Sequence, residues 1–292
     1  MMKFALFLGC NIPARVQQYE LAARVVLAKL QVDLVDIREF TCCGYPMRNA
    51  DLKTSLLFSA RNLALAEQQG LNVLTLCQCC FGTLKKAAHL LEEDNRFKEE
   101  VNAFLAKEKL TYQGKAQVKH LLSLLHKDIG EAALKEKIRG GFKELKIAAH
   151  YGCHALRPSD VMQFDDPVSP SILDELIKLT GAQSVDWSQK LECCGAPLLG
   201  VNDDLSMKLT AGKLADAKAS GARFLSVACP WCQLQFDGIQ KQMEAEGRTD
   251  ADLPSILYPQ LLGLAMGISA KELGLSKNVK DISGVNAFLV QQ

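Results

Sequence analysis

The chain has 292 residues, enough for two ordinary domains, since a domain is typically about 150 residues long. Its 34 lysine and arginine residues and 33 aspartate and glutamate residues are scattered along the sequence and give a net charge of +1. This balance gives no electrostatic reason to expect nucleic acid or an anionic membrane surface as a partner.

The sequence contains neither a membrane-spanning segment nor a signal-peptide core, and this decides where we expect to find the protein. No apolar run approaches the roughly 18–20 residues that span a bilayer. The apolar stretch at 4–8 is shorter than the roughly 7–15 residues of a signal-peptide core. We therefore expect a cytoplasmic protein without a membrane span. In such a reducing compartment, eleven cysteines are better candidates for metal ligands or redox chemistry than for disulfides.

The first half is predicted to alternate between short apolar strands and amphipathic helices. In chain order the pattern indicates a strand at 3–8, a helix at 14–30, a turn at 42–46, a helix at 52–69, a strand at 72–76 and a helix at 81–92. The charged segment 94–139 is predicted to be helical and to close this half.

The second half repeats that order. It contains a predicted strand at 145–150, a helix at 171–180, a turn at 193–197, a helix at 205–220, a strand at 223–228 and a helix at 233–246. Segments 118–125 and 256–264 also match, so each half is expected to end with an equivalent helix. A short linker near Gly140-Gly141 predicts two domains, at 1–141 and 142–292.

The cysteines follow one plan twice: a single cysteine, an adjacent pair and a CxxC pair. The intervals between these groups are 31 and 33 residues in the first half, and 39 and 34 in the second. A period near half of the chain length indicates a duplication. The members are Cys10, Cys42, Cys43, Cys77 and Cys80 in the first half, and Cys153, Cys193, Cys194, Cys229 and Cys232 in the second.

Strands alternating with helices of this length predict parallel sheets covered on both faces. The expected fold class is α/β, with two duplicated Rossmann-like domains, each a small parallel sheet flanked by helices, related by a pseudo-twofold axis. Ligands of such sheets bind beyond the carboxyl ends of the strands. The plan therefore predicts that five thiols converge on one edge of each sheet.

A CxxC pair by itself is a weak signal that is compatible with zinc, a redox dithiol or chance. Zinc sites use four ligands in tetrahedral geometry, and five cysteines in each half exceed that need. Adjacent cysteines such as Cys42-Cys43 suit a site with several irons, because their side chains diverge towards different metals. We favour iron–sulfur clusters, with zinc in at least one half, or plain buried thiols, as the alternatives.

The cysteine plan, with a glycine after each adjacent pair, resembles the cysteine-rich CCG domain. Two such domains in one chain of this length resemble the family of heterodisulfide reductase B subunits. The resemblance spans nearly the whole chain, and its supporting motifs are Tyr151-Gly152-Cys153-His154, Leu156-Arg157-Pro158, Cys194-Gly195-Ala196-Pro197-Leu198 and Cys229-Pro230-Trp231-Cys232.

The resemblance implies a non-cubane [4Fe-4S] cluster in each half, held by that half's five cysteines. It implies that the two clusters face each other across a cavity where a disulfide is split, each cluster capturing one thiolate. The sequence lacks a ferredoxin-type cysteine run and a G-x-G-x-x-G fingerprint, so electrons must be exchanged with another protein. The partners implied are ferredoxin-like and flavin-containing subunits of the same complex, and a disulfide or thiol substrate, free or protein-bound.

One cysteine lies outside the plan. Cys79, within Cys77-Gln78-Cys79-Cys80, is interpreted as a spare thiol that points away from the cluster. In the alternative interpretation, Cys79 replaces Cys80 as a ligand.

Other residues near the motifs are weaker candidates. His154 is a candidate proton donor to departing thiolates, because imidazole titrates nearest neutrality; a helix-start histidine bonded to the backbone is the alternative. Arg157 either binds an anionic substrate group or makes a surface ion pair. Trp231 and Phe81 are expected to shield a cluster. Three histidines in predicted helices are interpreted as surface or packing residues: His89, His120 and His126.

Three functions are compatible with these residues. The first is an iron–sulfur subunit that reduces a disulfide, or oxidises thiols in the reverse direction. The second is a CCG-domain electron-transfer subunit of a quinone- or lactate-linked dehydrogenase. The third is a zinc-stabilised module without catalysis.

Overall fold

A computed structural model describes residues 2–291. The first half contains the elements β1 (Met2–Phe7), α1 (Asn11–Arg15), α2 (Gln17–Lys29), β2 (Val32–Val35), a 3-10 turn (Tyr45–Met47), α3 (Leu52–Gln68), β3 (Asn72–Thr75), α4 (Gln78–Glu93), α5 (Asn95–Leu105), a 3-10 turn (Ala106–Glu108), β4 (Val118–His120), α6 (Leu121–Ser123), a π-helical stretch (Leu124–Ile129) and α7 (Gly130–Lys137).

The second half follows the same order. Its elements are β5 (Gly140–Phe142), β6 (Lys146–His150), α8 (Ser159–Met162), α9 (Ile172–Leu179), β7 (Gln183–Val185), a 3-10 turn (Ala196–Leu198), α10 (Asp203–Ala219), β8 (Phe224–Val227), α11 (Pro230–Leu234), a π-helical stretch (Gln235–Ile239), α12 (Gln240–Ala245), β9 (Ser255–Leu257), α13 (Tyr258–Ala265), two 3-10 turns (Leu275–Lys277 and Ser283–Phe288) and β10 (Leu289–Gln291).

Two four-stranded parallel sheets carry the fold. Their strand orders are β2-β1-β3-β4 and β7-β6-β8-β9, so the connectivity of one sheet is that of the other. Strands β3 and β8 are almost wholly buried, as expected for parallel strands covered by helices on both faces. The prediction of an α/β fold with two duplicated halves is confirmed.

The helices begin where the sequence supplies a cap. The Asp51 side chain accepts a hydrogen bond from the Thr54 backbone N–H (3.1 Å) at the start of α3. In the second half, Asn202 accepts from the Leu205 backbone N–H (3.0 Å) at the start of α10. Such caps satisfy N–H groups that the first helical turn leaves unpaired. They fix the start of the helix that follows each adjacent cysteine pair.

The two halves pack against each other reciprocally. Helix α2 of the first half packs on α13 of the second, while α9, the second-half equivalent of α2, packs on α6 of the first. The Lys29 ammonium donates to the Met266 carbonyl (2.8 Å) across the first of these contacts. This exchange of equivalent helices is the relation that the expected pseudo-twofold axis requires. Strand β5, which lies between the two parallel sheets in sequence, pairs with β10, which follows the second sheet, in an antiparallel ladder.

Three sequence predictions need correction in detail. The helix predicted at 14–30 is two helices, α1 and α2, separated at Val16. The segment 94–139 is not helical throughout, because it contains β4. Segments 118–125 and 256–264 do correspond, but each begins with a strand, β4 or β9, before its helix. The three-residue strands are too short for their sequence period to show, and pairing with the neighbouring strand fixes them.

A membrane span was not expected, and the helices of residues 2–291 include none with the length and apolar character to cross a bilayer.

Candidate metal centre

The cysteines of each half lie at the carboxyl edge of its sheet. Cys10 follows β1, and Cys77 lies between β3 and α4. Because β1 and β3 are neighbours in the sheet, these two cysteines are brought together. Cys153 after β6 and Cys229 after β8 repeat the arrangement. The structure thus places together, at one edge of each sheet, the cysteines that were predicted to converge there.

A glycine holds each adjacent cysteine pair against the following helix. Gly44 has φ of +92°, and a Cβ at this position would lie 2.4 Å from the Ser55 carbonyl oxygen. Gly195 has φ of +91°, and its Cβ would lie 2.4 Å from the Ser206 carbonyl oxygen. Only glycine combines this backbone conformation with so close an approach. The glycine of the CCG motif is therefore a requirement of the turn.

Hydroxyl groups of the following helix tie down the same turns. Ser59 donates to the Cys43 carbonyl (2.7 Å), and Thr210 donates to the Cys194 carbonyl (3.0 Å). Asn62 donates to the Cys42 carbonyl (3.0 Å) in the first half. The cysteine backbones are thus fixed by helices α3 and α10, which leaves their sulfur atoms to face the other thiols.

The five planned thiols of the first half are in mutual contact. Cys42 receives hydrogen bonds from Cys10 and Cys43, which lower its pKa to about 2. The same contacts raise the pKa of Cys43 to about 12 and that of Cys10 well above its ordinary value. Cys80 is linked to Cys43 and to Cys77, whose Sγ accepts from the Cys80 backbone N–H at 3.5 Å.

The second half repeats these contacts residue by residue. Hydrogen bonds from Cys153 and Cys194 lower the pKa of Cys193 to about 2. The contact with Cys193 raises the pKa of Cys194 to about 12, and raises that of Cys153 as well. The Sγ atoms of Cys232 and Cys194 are 3.7 Å apart. Each half therefore gathers five sulfur atoms, among which the first cysteine of the adjacent pair accepts hydrogen bonds from two others.

This donor set fits a cluster of metal ions. Nine of the ten planned thiols are buried or half-buried, and Cys10 is exposed. Five thiols in contact would repel one another as thiolates unless cations lay among them. Thiolate sulfur is the ligand that iron–sulfur clusters use. In each half, the adjacent cysteine pair approaches the other thiols from one side and the CxxC pair approaches them from another. The residues present can thus hold an iron–sulfur cluster in each half.

The two groups of thiols meet between the halves. The Sγ atoms of Cys77, Cys79 and Cys229 lie within 4.8 Å of one another. Although burial disfavours its charged form, hydrogen bonds from Cys232, Cys77 and Cys79 hold the pKa of Cys229 well below its ordinary value. Contact with Cys229 raises the pKa of Cys79. The interpretation of Cys79 as a thiol pointing away is wrong: the helical turn at the start of α4 directs it towards the other half.

A cavity of 270 Å³ opens beside the second cysteine group and is lined by both halves. From the first half come Tyr45, Arg48, Gln78 and Cys79, and from the second come Cys153, His154, Cys194, Cys229, Trp231 and Cys232. A narrower cleft of 20 Å³ adjoins the first group, and there Pro230 and Trp231 of the second half join the five planned cysteines. One thiol, Cys79, lines both spaces.

His154 lies in this cavity, as a proton donor would have to. Its Nε2 is 3.1 Å from the Tyr45 hydroxyl, and the two rings meet edge to face at 5.1 Å. Burial and the nearby Arg48 lower the pKa of His154. The Arg48 guanidinium lies 4.2 Å from the centre of the Tyr45 ring. Neither Tyr45 nor Arg48 was predicted from the sequence, although both follow closely on the first CCG motif.

The remaining candidates are distributed differently. Arg157 is exposed and does not line the cavity. Trp231 lies beside both thiol groups, whereas Phe81 packs against Phe164 (6.1 Å) on the far side of α4. His120 is buried at the end of β4 and not in a helix. The other two histidines make ion pairs that suit a surface role: His89 with Glu93, and His126 with Glu175.

Comparison with known proteins decides the family. The cysteine-rich domain (CCG) model matches residues 4–85 and again 147–237. The B subunit of the ferredoxin/F(420)H(2)-dependent CoB-CoM heterodisulfide reductase of Methanosarcina acetivorans is 38% identical, over 95% of this chain and 94% of the relative. The chain belongs to the family of heterodisulfide reductase B subunits.

Other reductase subunits are similar to the chain over almost its whole length. The B subunit of the ferredoxin:CoB-CoM heterodisulfide reductase of Methanosarcina mazei is 37% identical, over 95% of this chain and 94% of its own. The 8-methylmenaquinol:fumarate reductase membrane anchor subunit of Wolinella succinogenes is 36% identical, over 96% of this chain and 97% of its own. All three relatives are named as reductase subunits, which implies an oxidoreductase that works within a complex.

The fold also has a solved counterpart. A crystal structure of a hypothetical protein from Helicobacter pylori superposes with a TM-score of 0.74, covering 97% of this chain and 52% of that one. At 20% identity this likeness concerns the fold alone. It supports the duplicated α/β architecture.

Proposed function

We propose that the chain is the iron–sulfur subunit of a heterodisulfide reductase-like complex that reduces a disulfide, or oxidises thiols in the reverse direction. The observation that carries this proposal is that both five-cysteine groups border space lined by the two halves together. A disulfide has two sulfur atoms, and two metal centres that border separate spaces with Cys79 and Trp231 common to both linings would offer one centre to each. A single metal centre, or two centres on separate surfaces, would not provide this.

In the proposal, residues 1–141 hold one [4Fe-4S] cluster and residues 142–292 hold the other, both non-cubane. The ligands are Cys10, Cys42, Cys43, Cys77 and Cys80 for the first, and Cys153, Cys193, Cys194, Cys229 and Cys232 for the second. When bound, the clusters would supply electrons and iron sites for the substrate sulfurs. A set of five thiolates provides one ligand more than a four-iron cubane needs.

The protein's own part in the reaction is to supply protons and orientation. Splitting a disulfide consumes two electrons and two protons and yields two thiols. His154 is placed in the cavity to give a proton to a departing thiolate, and the Tyr45 hydroxyl at 3.1 Å holds its ring in place. Arg48, on the cavity wall, would bind an anionic group of the substrate.

Electrons must reach the chain from another protein, and we propose ferredoxin-like and flavin-containing subunits of the same complex as those partners. The names of the similar reductase subunits support a complex. The eleven cysteines are all free in the structure, which suits a reducing compartment, so the proposal includes a cytoplasmic location.

The first test is metal content after anaerobic purification. We expect about eight irons and about eight sulfides per chain, as two four-iron clusters require. Cys43→Ala and Cys194→Ala should each lose about half of this iron, whereas the matched control Cys79→Ala should keep all of it. Stoichiometric zinc without iron would overturn the proposal.

The second test separates sulfur chemistry from simple electron relay. The oxidised protein is mixed with small thiols and examined by electron paramagnetic resonance. A new paramagnetic signal on addition of a thiol is the expected result. Full clusters that respond to neither thiols nor disulfides would show that the chain only passes electrons.

A further inference from the structure

The two cysteine groups have the same plan but different surroundings. Because the chain is duplicated, each residue near one group has a counterpart near the other, found at the same distance along the chain from an equivalent cysteine. Two such pairs differ in charge or in hydrogen-bonding capacity. In both, the polar member lies near the second group.

The first pair is His150 and Phe7. Each is the last residue of its strand, three residues before the first cysteine of its half, and each pairs with the last residue of the neighbouring strand. Nε2 of His150 lies 3.3 Å from the Cys232 Sγ, and the ring is 1% exposed. Phe7, fully buried, packs on Phe40 with ring centres 5.1 Å apart and offers no hydrogen bond.

The proton of this histidine can be placed from chemistry. An imidazole nitrogen can donate a hydrogen bond only when it carries a proton. A Cys232 thiolate that binds metal has no proton of its own to share. The 3.3 Å contact therefore requires the ring proton on Nε2, so that His150 donates to the sulfur.

The second pair is Lys213 and Asn62, each the nineteenth residue after the second cysteine of its adjacent pair. Lys213 is 1% exposed, and its ammonium donates to the Gln189 carbonyl and lies 4.6 Å from the Trp187 ring centre. Within residues 2–291 it makes no salt bridge to a carboxylate. Asn62 is neutral and serves the backbone, accepting from the Thr41 N–H at 2.9 Å.

A buried ammonium without a carboxylate needs another source of negative charge. Burial lowers the pKa of Lys213 to about 8, and the thiolates of Cys194 and Cys232 act in the opposite direction and favour its charged form. An anionic cluster on the second group would supply that negative charge. The first group has no such cation at its equivalent position.

A further pair, Cys79 and Trp231, occupies the second position after the first cysteine of each CxxC motif. It does not distinguish the two groups, because the Cys79 Sγ lies within 4.8 Å of Cys77 of the first group and of Cys229 of the second. Hydrogen bonds and positive charge around cluster sulfurs stabilise the reduced, more negative state and raise the reduction potential.

We propose that His150 and Lys213 make the second cysteine group the better site for added negative charge, so that its cluster has the higher reduction potential and takes up an electron first. The step is a one-electron reduction in which no bond is made or broken, and in the test the electron comes from dithionite. This inference rests on the proposed function, because it assumes a cluster in each half.

The test is an anaerobic dithionite titration followed by electron paramagnetic resonance, which reports the potential of each cluster separately. Cys42→Ala and Cys193→Ala, each lacking a ligand of one half, assign the signals. We expect the second-half signal to be reduced first in the unaltered chain. His150→Phe and Lys213→Met should lower the potential of this cluster and leave the other unchanged.

Two matched variants guard against misfolding as an explanation. Lys213→Arg keeps the charge and is expected to keep the potential. Phe7→His places a donor beside the first group and should raise the potential of the first cluster. The inference is overturned if the first-half cluster is reduced first, or if His150→Phe and Lys213→Met keep their iron and leave the second potential unchanged. Failure to bind iron in the unaltered chain would instead overturn the proposed function.

Discussion

The hydroxyl of Tyr45 lies 3.1 Å from Nε2 of His154, although the two residues are 109 positions apart in sequence and belong to different halves. Both residues line the cavity beside the second thiol group. The contact also means that the candidate proton donor of the second half is held in place by the first.

Replacing His154 should lower the rate of turnover more than replacing Tyr45. A general acid contributes about 10²- to 10⁴-fold to a rate, so His154→Gln should lower kcat for disulfide reduction by about 10²-fold or more. Tyr45→Phe removes one hydrogen bond worth about 0.5–1.5 kcal/mol and should lower kcat by roughly tenfold or less. Iron analysis of both variants serves as the control. Unchanged turnover in a fully loaded His154→Gln would show that the proton comes from elsewhere.

The position of Arg48 predicts a charge effect on substrate binding. Arg48→Gln should raise KM for disulfides that carry carboxylate or sulfonate groups and leave KM for uncharged disulfides nearly unchanged. Arg157→Gln is the matched control, because Arg157 is exposed and does not line the cavity. Steady-state kinetics with paired substrates measures the difference. Equal effects of the two substitutions would contradict a role for Arg48.

Replacing the glycine of the first CCG turn should destabilise the protein more than replacing a left-handed glycine that has no close neighbour. A left-handed conformation costs a non-glycine residue about 1–2 kcal/mol, and Gly70→Ala should destabilise the protein by about that amount, since no described atom lies within 4 Å of its added Cβ. Gly44→Ala adds a contact of 2.4 Å with the Ser55 carbonyl oxygen and should cost more. Urea unfolding compares the free energies. Equal losses would mean that the turn can shift.

The second CCG turn depends on a buried hydroxyl network. Thr210 donates to the Cys194 carbonyl and accepts from the Gln235 amide (2.7 Å). Thr210→Val removes the donor to the buried Cys194 carbonyl and leaves the Gln235 amide with the Ser206 hydroxyl (2.9 Å) as its remaining partner. The substitution should lower the free energy of unfolding by about 1–3 kcal/mol. Ser59→Ala, which removes the equivalent bond to Cys43, is the comparison. Chemical denaturation should show the larger loss for Thr210→Val, and the reverse order would contradict this account.

The duplicated cysteine plan was enough to predict the α/β class, the two equivalent halves and the sheet edge at which each thiol group lies. Strand order was not predicted from the sequence; in the structure, the pairing of β1 with β3 brings Cys10 and Cys77 together. Short strands such as β4 were missed, because three residues carry no readable period.

Contacts between the halves could not be predicted in the same way. The orientation of Cys79 depends on how α4 begins and on where the second sheet packs, and neither is visible in a local pattern. The same holds for Tyr45, whose partner His154 becomes its neighbour only when the two sheets associate. Sequence repeats specify each half, whereas side-chain packing specifies the space between them.

The contact of Cys79 with Cys229 shows what a duplicated chain permits that a symmetric dimer does not. In a homodimer of single domains, the residue two positions after the first CxxC cysteine would be identical on both sides of the axis. A thiol on one side and an indole on the other, as Cys79 and Trp231 provide, requires two copies within one chain whose sequences differ.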